Sequence, residues 1–227
     1  MRFDRFERLV GKKAVQELKY KRVVIFGLGG VGSYAVEGIA RSGIGTIILC
    51  DYDKIDITNI NRQIIALSST IGEFKTDLLE NRILDINPKA KVLKYTVKAE
   101  ETIIEEILDM KPDFVVDAID DVSAKVYLIK TAIKRDIPII SSMGFANKLH
   151  PEKIEISTLK NTSVCPLAKV MRKKLREINI SLNFPVVYSK EKPKENTTLA
   201  SSAYTPSVAG LMIASYVINR LVGGEST

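Results

Sequence analysis

A polar stretch at residues 56–63, DITNINRQ, carries residue types that bind phosphate groups. It contains Asn59 and Arg62, and Lys75 follows in the next segment. Arginine and lysine neutralise phosphate oxygens, and an amide side chain can donate a hydrogen bond to them. Three such groups in one region predict a ligand with several phosphates. Either cation taken alone is explained equally well as a solvated surface charge.

A glycine-rich turn, FGLGGVGS, precedes this stretch and indicates a nucleotide. Its glycines, Gly27, Gly29 and Gly32, match G-x-G-x-x-G directly after an apolar run. Such a turn lets the backbone approach a phosphate at the start of a helix. Asp51 ends the second apolar run, where its carboxylate can accept hydrogen bonds from ribose hydroxyls. Gly30 and Asp53 complete the predicted nucleotide-binding set.

The glycine turn alone does not distinguish NAD from ATP, and a dehydrogenase would be the usual interpretation. A hydride-transfer site needs an apolar pocket for a nicotinamide ring beyond the second phosphate. This chain instead places Asn59, Arg62 and Lys75 downstream of Asp51. We therefore expect a triphosphate.

The elements that must position these residues alternate along the chain. Short β-branched runs alternate with amphipathic helical stretches, which predicts an α/β, Rossmann-like fold with a mostly parallel sheet and helices on both faces. After residue 150 the pattern changes to a strand, a basic helix opening at Pro166, another strand and a closing helix at 205–222. We expect one domain, 1–227, with a nucleotide-binding core at 1–145 and a basic, substrate-facing extension at 146–227.

The net charge of +7 is concentrated in this extension. Counted along the sequence, 22 Lys and Arg oppose 21 Asp and Glu in residues 1–145, whereas 12 oppose 6 in residues 146–227. A solvated face and a surface for an anionic macromolecule such as RNA both remain open. The candidate RNA-binding residues lie on the basic helix: Lys169, Arg172, Lys173, Lys174 and Arg176.

Two cysteines, Cys50 and Cys165, are too few for a disulfide framework or a four-thiolate zinc site. They predict a reducing, cytoplasmic setting. The N-terminus, MRFDRFERLV, is charged and lacks the apolar stretch of a signal peptide. Polar residues interrupt the apolar run at 203–222, which predicts a buried helix and no membrane span.

DYDKIDITNINRQ, GLGGVG, Lys75 in IGEFKTD and the acidic pair of VVDAIDD together resemble the ubiquitin-activating-enzyme-like adenylyltransferases of the ThiF/MoeB/HesA superfamily. The resemblance covers residues 2 to about 145. It implies that ATP and Mg²⁺ are used. Asp51 would bind the ribose, Asp120 would help bind Mg²⁺, and the triphosphate would be held by Asn59, Arg62 and Lys75.

The same resemblance implies a homodimer, because an arginine near the N-terminus would reach the active site of the partner subunit. Arg5 fits the RxxR form of that motif and Arg8 fits the RLxG form. Arg5 is slightly favoured. The implied catalytic set is then Arg5, Arg62, Lys75 and Asp120.

Within the superfamily, VCPLAKVMRKKLREINI resembles the DPLAxxxRxxLR segment of the bacterial tRNA threonylcarbamoyladenosine dehydratases, with Cys165 at the usual aspartate. This resemblance implies that ATP adenylates the carboxylate of a threonylcarbamoyl group on tRNA. Intramolecular attack then closes a ring, AMP leaves, and water is lost overall. The alternative is adenylation of the C-terminal glycine of a small sulfur-carrier protein, with such a carrier or a sulfur-transfer protein as partner. The chain lacks the CxxC pairs typical of those activators.

Overall fold

A single sheet organises the molecule in the computed structural model, which describes residues 2–195 and 198–223. Its seven strands follow the order β3-β2-β1-β4-β5-β7-β6. The strands are β1 (Arg22–Phe26), β2 (Thr46–Cys50), β3 (Lys91–Tyr95), β4 (Phe114–Asp117), β5 (Ile139–Ser142), β6 (Ile154–Thr158) and β7 (Pro185–Ser189). All neighbours pair in parallel except β6 and β7, which are antiparallel. The predicted mostly parallel sheet is confirmed.

The central strands are continuous apolar runs because both faces of the sheet are covered. In β1, Val23 and Ile25 pack into one hydrophobic cluster, whereas Val24 and Phe26 pack into the other. This alternation follows from the two-residue period of a strand. The sequence RVVIF therefore supplies apolar side chains to two cores at once.

Helices lie on both faces, as predicted. The helices are α1 (Asp4–Val10), α2 (Lys12–Leu18), α3 (Gly32–Arg41), α4 (Lys75–Ile86), α5 (Glu101–Asp109), α6 (Val122–Lys134), α7 (Pro166–Glu177) and α8 (Tyr204–Leu221). Buried residues of α3, α4 and α8 belong to one cluster, and those of α5, α6 and α7 belong to the other. Among the residues described, no helix is long and apolar enough to span a membrane.

The C-terminal segment is built into the same sheet and core as the glycine turn. Strand β7 pairs with β5, and α8 packs closely against α3. A Cβ atom on Gly210 would lie 2.3 Å from the carbonyl oxygen of Val31, so this approach requires glycine. The division at residue 145 remains a prediction about function, since both parts share one core.

The strand order creates a cleft between β1 and β4. From β1 the chain builds β2 and β3 to one side, and β4 and β5 then continue on the other side. Ligands bind outside the carboxyl ends of parallel strands at such a switch point. Helix α1 packs at the opposite end, where Arg2 Nη1 donates to the Asp85 carbonyl over 3.0 Å and the Phe3 ring approaches Gly43.

Candidate active site

A cavity of about 780 Å³ opens at the carboxyl ends of the strands. It is lined by segments that follow β1, β2, β4 and β5, and by the first turns of α7 and α8. The predicted site residues in its wall are Gly27, Gly29, Gly30, Asp51, Asp53, Asn59, Arg62, Lys75 and Asp120. Gly32 instead forms the first residue of α3. The topology therefore collects residues spread over most of the first 120 positions into one wall.

The glycine turn is pressed between β4 and α8. Gly27 has a φ of 84°, and a Cβ atom there would lie 2.5 Å from the carbonyl oxygen of Ala118. A Cβ atom on Gly30 would lie 3.2 Å from Cβ of Pro206 and 3.4 Å from Cγ of Arg62. Within the described residues, the N–H groups of residues 29–32 have no acceptor. Free N–H groups at the start of a helix are able to bind an anion.

Asp51 ties this turn to the end of β2. Its carboxylate accepts the Leu28 N–H over 2.6 Å and the Asp53 N–H over 2.8 Å. Burial raises the pKa of the Asp51 carboxyl, and Lys75 and the two N–H groups oppose that rise. Each carboxylate oxygen keeps a further lone pair, which can accept a hydrogen bond from a ribose hydroxyl.

Lys75 brings a buried positive charge to the cavity. It is the first residue of α4 and is only 4% exposed. Its Nζ lies 2.6 Å from Oδ2 of Asp53 and 3.9 Å from Oδ2 of Asp51. The two carboxylates hold the ammonium group in place, since an unpaired buried charge would be costly.

Asn59 and Arg62 are positioned by a short 3-10 helix, Ile57–Asn59, whose N-terminus is closed by a reciprocal capping box between Asp56 and Asn59. The Asp56 carboxylate accepts the Thr58 N–H over 2.8 Å, and Asn59 Oδ1 accepts the Asp56 N–H over 3.3 Å. The NH₂ group of Asn59 remains able to donate. Arg62 Nη1 donates to the Thr58 carbonyl over 2.8 Å, and no carboxylate of the described chain pairs with this guanidinium. Arg62 therefore keeps its charge for an anionic ligand.

The adjacent acids Asp120 and Asp121 have different roles. Asp121 caps α6, accepting the Ser123 N–H over 2.9 Å and the Ala124 N–H over 3.0 Å. The bond from Ala124 is the largest cause that holds the pKa of Asp121 below its ordinary value. Asp120 is exposed and has no hydrogen bond or ion pair within the described chain. Its carboxylate is therefore free to act in the cavity.

The Asp120 carboxylate is suited to a Mg²⁺ ion that is also bound by the phosphates of a nucleotide. Mg²⁺ is usually held by one or two carboxylates together with phosphate oxygens and water. Within the described residues, no cluster of three or more His, Cys, Asp or Glu could hold a metal alone. The remaining ligands would come from phosphates and water.

The comparisons with known proteins place this arrangement in a family. Residues 3–227 match the family model described as "ThiF family". The chain belongs to the ThiF family. It is 41% identical over 239 residues to the tRNA threonylcarbamoyladenosine dehydratase of Bacillus subtilis (strain 168), covering 97% of this chain and 94% of the relative.

A solved structure agrees with that sequence match. The E. coli tRNA N6-threonylcarbamoyladenosine dehydratase TcdA, crystallised with ATP, superposes with a TM-score of 0.93 at 30% identity, over 98% of this chain and 94% of that one. The adenylyltransferase and sulfurtransferase UBA4 of Vanderwaltozyma polyspora is 29% identical over 159 residues, covering 70% of this chain and 36% of that protein. The similarity to the dehydratases is therefore higher and more complete.

A buried ion pair lies behind the site of this ThiF-family chain, and sequence reasoning missed it. Lys125 Nζ lies 2.7 Å from Oδ2 of Asp117, which also accepts the Ser141 hydroxyl over 2.6 Å. All three residues are fully buried. They join the end of β4 to α6 and β5, and so fix the turn that carries Asp120. The sequence did contain a signal for it. Lys125 precedes the apolar Leu128 and Ile129 by three and four residues, which places the lysine on the apolar face of the helix.

The N-terminal arginines lie away from the cavity of their own chain. Arg5 and Arg8 are on α1, which packs at the amino ends of the strands. Arg8 Nη2 lies 2.7 Å from Oδ2 of Asp4, whereas Arg5 is exposed and pairs with no described residue. Arg5 thus carries a free guanidinium that cannot serve the cavity of its own chain.

The basic helix α7 begins at the cavity and leads away from it. Its second residue, Leu167, lines the cavity. The exposed cations of the predicted RNA-binding set are Lys169, Lys173, Lys174 and Arg176. Arg172 differs, because it is half-buried and its Nη1 donates to the Thr162 carbonyl over 3.0 Å.

The two cysteines are free thiols and both are buried. Burial raises the pKa of the Cys50 thiol to about 12, with the neighbouring Asp51 adding to the rise. Cys50 is therefore a core residue and not a nucleophile. Cys165 lies directly before α7, beside Gly144 of the cavity wall.

Proposed function

We propose that this protein is an ATP-dependent tRNA threonylcarbamoyladenosine dehydratase. The observation that carries the proposal is one cavity. It joins the free N–H groups of the glycine turn to the buried ammonium of Lys75 and to the guanidinium of Arg62, which has no carboxylate partner among the described residues. The similarity to the B. subtilis and E. coli dehydratases supports this activity. ATP in the E. coli crystal structure supports ATP as the nucleotide.

The site residues then divide the work of adenylation. The glycine turn and Asp51 hold the nucleoside and first phosphates, and Asn59, Arg62 and Lys75 hold the remaining phosphates. A substrate carboxylate attacks the α-phosphorus, the bond to pyrophosphate breaks, and the cations stabilise the charge of the leaving group. This reaction needs positioning and neutralisation of charge, and no protein nucleophile. Bound at Asp120, Mg²⁺ would neutralise further phosphate charge.

The acyl adenylate then reacts within the substrate itself. Intramolecular attack on the activated carbonyl closes a ring and releases AMP, so the nucleoside loses one water molecule overall. The protein's part in this step is to hold the acyl group beside the α-phosphate and to exclude bulk water. The thiol of Cys50 takes no part, since it is buried and protonated.

The 146–227 extension is the tRNA side in this proposal. The exposed cations of α7 are suited to phosphates near the modified nucleoside, and α7 starts at the cavity. A homodimer completes the site in this proposal. Arg5 is free and remote from the cavity of its own chain, so its guanidinium would enter the cavity of the partner subunit. A cytoplasmic setting is part of the same proposal and agrees with two free thiols.

Activation of a sulfur-carrier protein is less well supported. The match to UBA4 covers 36% of that protein, whereas the match to the B. subtilis dehydratase covers 94% of that relative. The chain also contains no CxxC motif. No carrier or sulfur-transfer partner is needed for the reaction proposed.

The test supplies purified protein with ATP, Mg²⁺ and tRNA that carries threonylcarbamoyladenosine. We expect AMP to form and the modified nucleoside to lose the mass of one water molecule, measured by mass spectrometry after digestion. tRNA that lacks the threonylcarbamoyl group is the matched control and should give no AMP. Pyrophosphate exchange that requires a Gly-Gly carrier and ignores tRNA would contradict the proposal.

A further inference from the structure

The cavity also has an apolar wall, whose side chains offer no hydrogen-bond donor to phosphate groups. It is formed by side chains from the segment after β5, from α7 and α8, and from residue 199: Met143, Phe145, Leu167, Leu199 and Pro206. Phosphates and ribose are polar and suit the glycine turn and the charged and amide side chains, while Ala99, Ala118 and Ile119, which also line the cavity, offer an apolar surface to the adenine base. The apolar wall therefore suits a second ligand that occupies the same cavity.

Leu199 is exceptional in this wall because it is exposed. Its side chain is 88% exposed although it lines the cavity. Met143 and Phe145 are buried in the core instead. Within the described residues, nothing covers Leu199, so its apolar surface faces whatever enters the cavity mouth.

The backbone that carries Leu199 is held firmly from two sides. Asn147 donates its N–H to the Ala200 carbonyl over 2.7 Å, and Asn147 Oδ1 accepts the Ala200 N–H over 2.7 Å. Asn61 Nδ2 donates to the Ser201 carbonyl over 2.9 Å. We call residues 199–202 the strap. An exposed loop fixed by three hydrogen bonds presents Leu199 in a defined place.

The strap lies beside the phosphate-binding residues, because Asn61 directly precedes Arg62. A carboxylate that attacks the α-phosphorus must enter between the phosphates and the cavity mouth. The nucleoside that carries this carboxylate then lies at the mouth, where an apolar side chain can pack against the face of its base. A free carrier peptide would offer backbone amides there, which an exposed leucine does not satisfy.

We propose that Leu199 is a specificity contact for the acyl substrate, packing against the purine base of the modified nucleoside, and that Asn147 is a positioning residue for the strap. This inference deepens the proposed function and rests on it. The carbonyl and N–H groups that Asn147 engages belong to Ala200, next to Leu199. Loss of the side-chain hydrogen bond, from the Ala200 N–H to Asn147 Oδ1, should displace Leu199 and leave the nucleotide-binding residues in place.

The experiment measures steady-state AMP release by Leu199→Ala against tRNA carrying threonylcarbamoyladenosine. We expect KM for the tRNA to rise roughly tenfold, as for removal of one packed apolar side chain, with KM for ATP unchanged. Leu84→Ala is the matched control, because Leu84 is also exposed, on α4, and does not line the cavity. Leu199→Met should stay near wild type.

Asn147 has a φ of 60°, which glycine adopts readily, so Asn147→Gly removes the side chain with its acceptor oxygen and leaves the backbone bond from the residue 147 N–H to the Ala200 carbonyl in place. Asn147→Gly should raise KM for the tRNA as Leu199→Ala does, and Asn147→Asp, which retains an acceptor, should restore it. If wild type is active and Leu199→Ala has the same KM for the tRNA, the inference is overturned and the proposed function is not. Absence of turnover by wild type overturns the proposed function, and this inference with it.

Discussion

The ammonium group of Lys75 lies 2.6 Å from the carboxylate of Asp53, in the wall of the cavity. Lys75 is buried, whereas the Asp53 side chain is 45% exposed. The pair therefore holds the ammonium group at the site before any phosphate binds. An incoming phosphate can then replace the Asp53 carboxylate, which water can solvate once it is released. This arrangement reconciles a buried lysine with a role in binding an anion.

Replacing Lys75 with alanine should reduce AMP release by at least about 100-fold, because a preorganised cation at the leaving phosphates is lost. In this variant Asp53 remains solvated and Asp51 keeps its two N–H donors, so folding should be retained and a thermal melt should show it. Lys54→Ala is the matched control, since Lys54 stacks on the Phe74 ring at 4.7 Å and is exposed. Full activity in Lys75→Ala would disprove the site assignment.

Substitutions at Asp120 and Asp121 should have different effects, the first on activity and the second on stability. Asp120→Asn should lose most AMP release while its melting temperature stays unchanged, because the free carboxylate has no structural partner in the described chain. Asp121→Ala should lose about 1 kcal/mol of unfolding free energy, as for removal of a helix cap. Retained activity in Asp120→Asn at limiting Mg²⁺ would exclude a role for Asp120 in metal binding.

The stabilisation of the fold by the Asp121 cap should depend on pH. The folded pKa of Asp121 lies below its ordinary value of 3.8, so the unfolded chain binds the proton more readily. The stabilisation is therefore complete above about pH 4 and is lost as pH falls through the folded pKa. The difference in unfolding free energy between wild type and Asp121→Ala, measured by denaturant unfolding, should be full at pH 7 and should shrink as pH falls below the ordinary pKa of 3.8. A difference that stays constant through acid unfolding would exclude a charged cap.

The buried pair of Lys125 and Asp117 should be costly to break. Lys125→Met leaves a carboxylate buried without its cation, which should reduce the unfolding free energy by roughly 3–5 kcal/mol. Adding Asp117→Asn removes that charge and keeps an acceptor for the Ser141 hydroxyl, so the double variant should regain part of the loss. Chemical denaturation of the three proteins measures both effects. A double variant no more stable than Lys125→Met would contradict this explanation.

The sequence predicted the strands, the glycine turn and the residues that end the strands, because these signals are local. RVVIF and GLGGVG define β1 and its turn without reference to the rest of the chain. Parallel pairing then forces Asp51 and Asp120 to the same edge of the sheet. The assembly of the cavity wall could therefore be inferred before its geometry was known.

Long-range contacts could not be predicted in the same way. The position of β7 between β5 and β6 depends on pairing between distant segments, and no local pattern encodes that order. Lys75 occurs in a helix whose apolar positions suggest a buried face, but only the tertiary structure shows that the lysine is on that face. The hydrogen bonds between Asn147 and Ala200 join residues 53 positions apart.

The basic helix should contribute to tRNA affinity through charge alone. Lys173→Glu and Lys174→Glu together should raise KM for the tRNA roughly tenfold and reduce the dependence of log KM on log salt concentration, because fewer counterions are released. KM for ATP should not change. Lys89→Glu, an exposed lysine before β3 at the other end of the sheet, is the control. An equal effect of Lys89→Glu would indicate non-specific electrostatics.

Arg5 should act in the partner subunit, and mixing of inactive variants can show this. Arg5→Ala and Arg62→Ala should each lose most AMP release. When the two are unfolded and refolded together in equal amounts, about a quarter of wild-type activity should return, because half of randomly paired dimers are mixed and each mixed dimer has one intact site. Arg8→Ala should be active alone, since Arg8 is already paired with Asp4. No recovery on mixing, with mixed dimers confirmed by mass spectrometry, would show that Arg5 does not complete the partner's site.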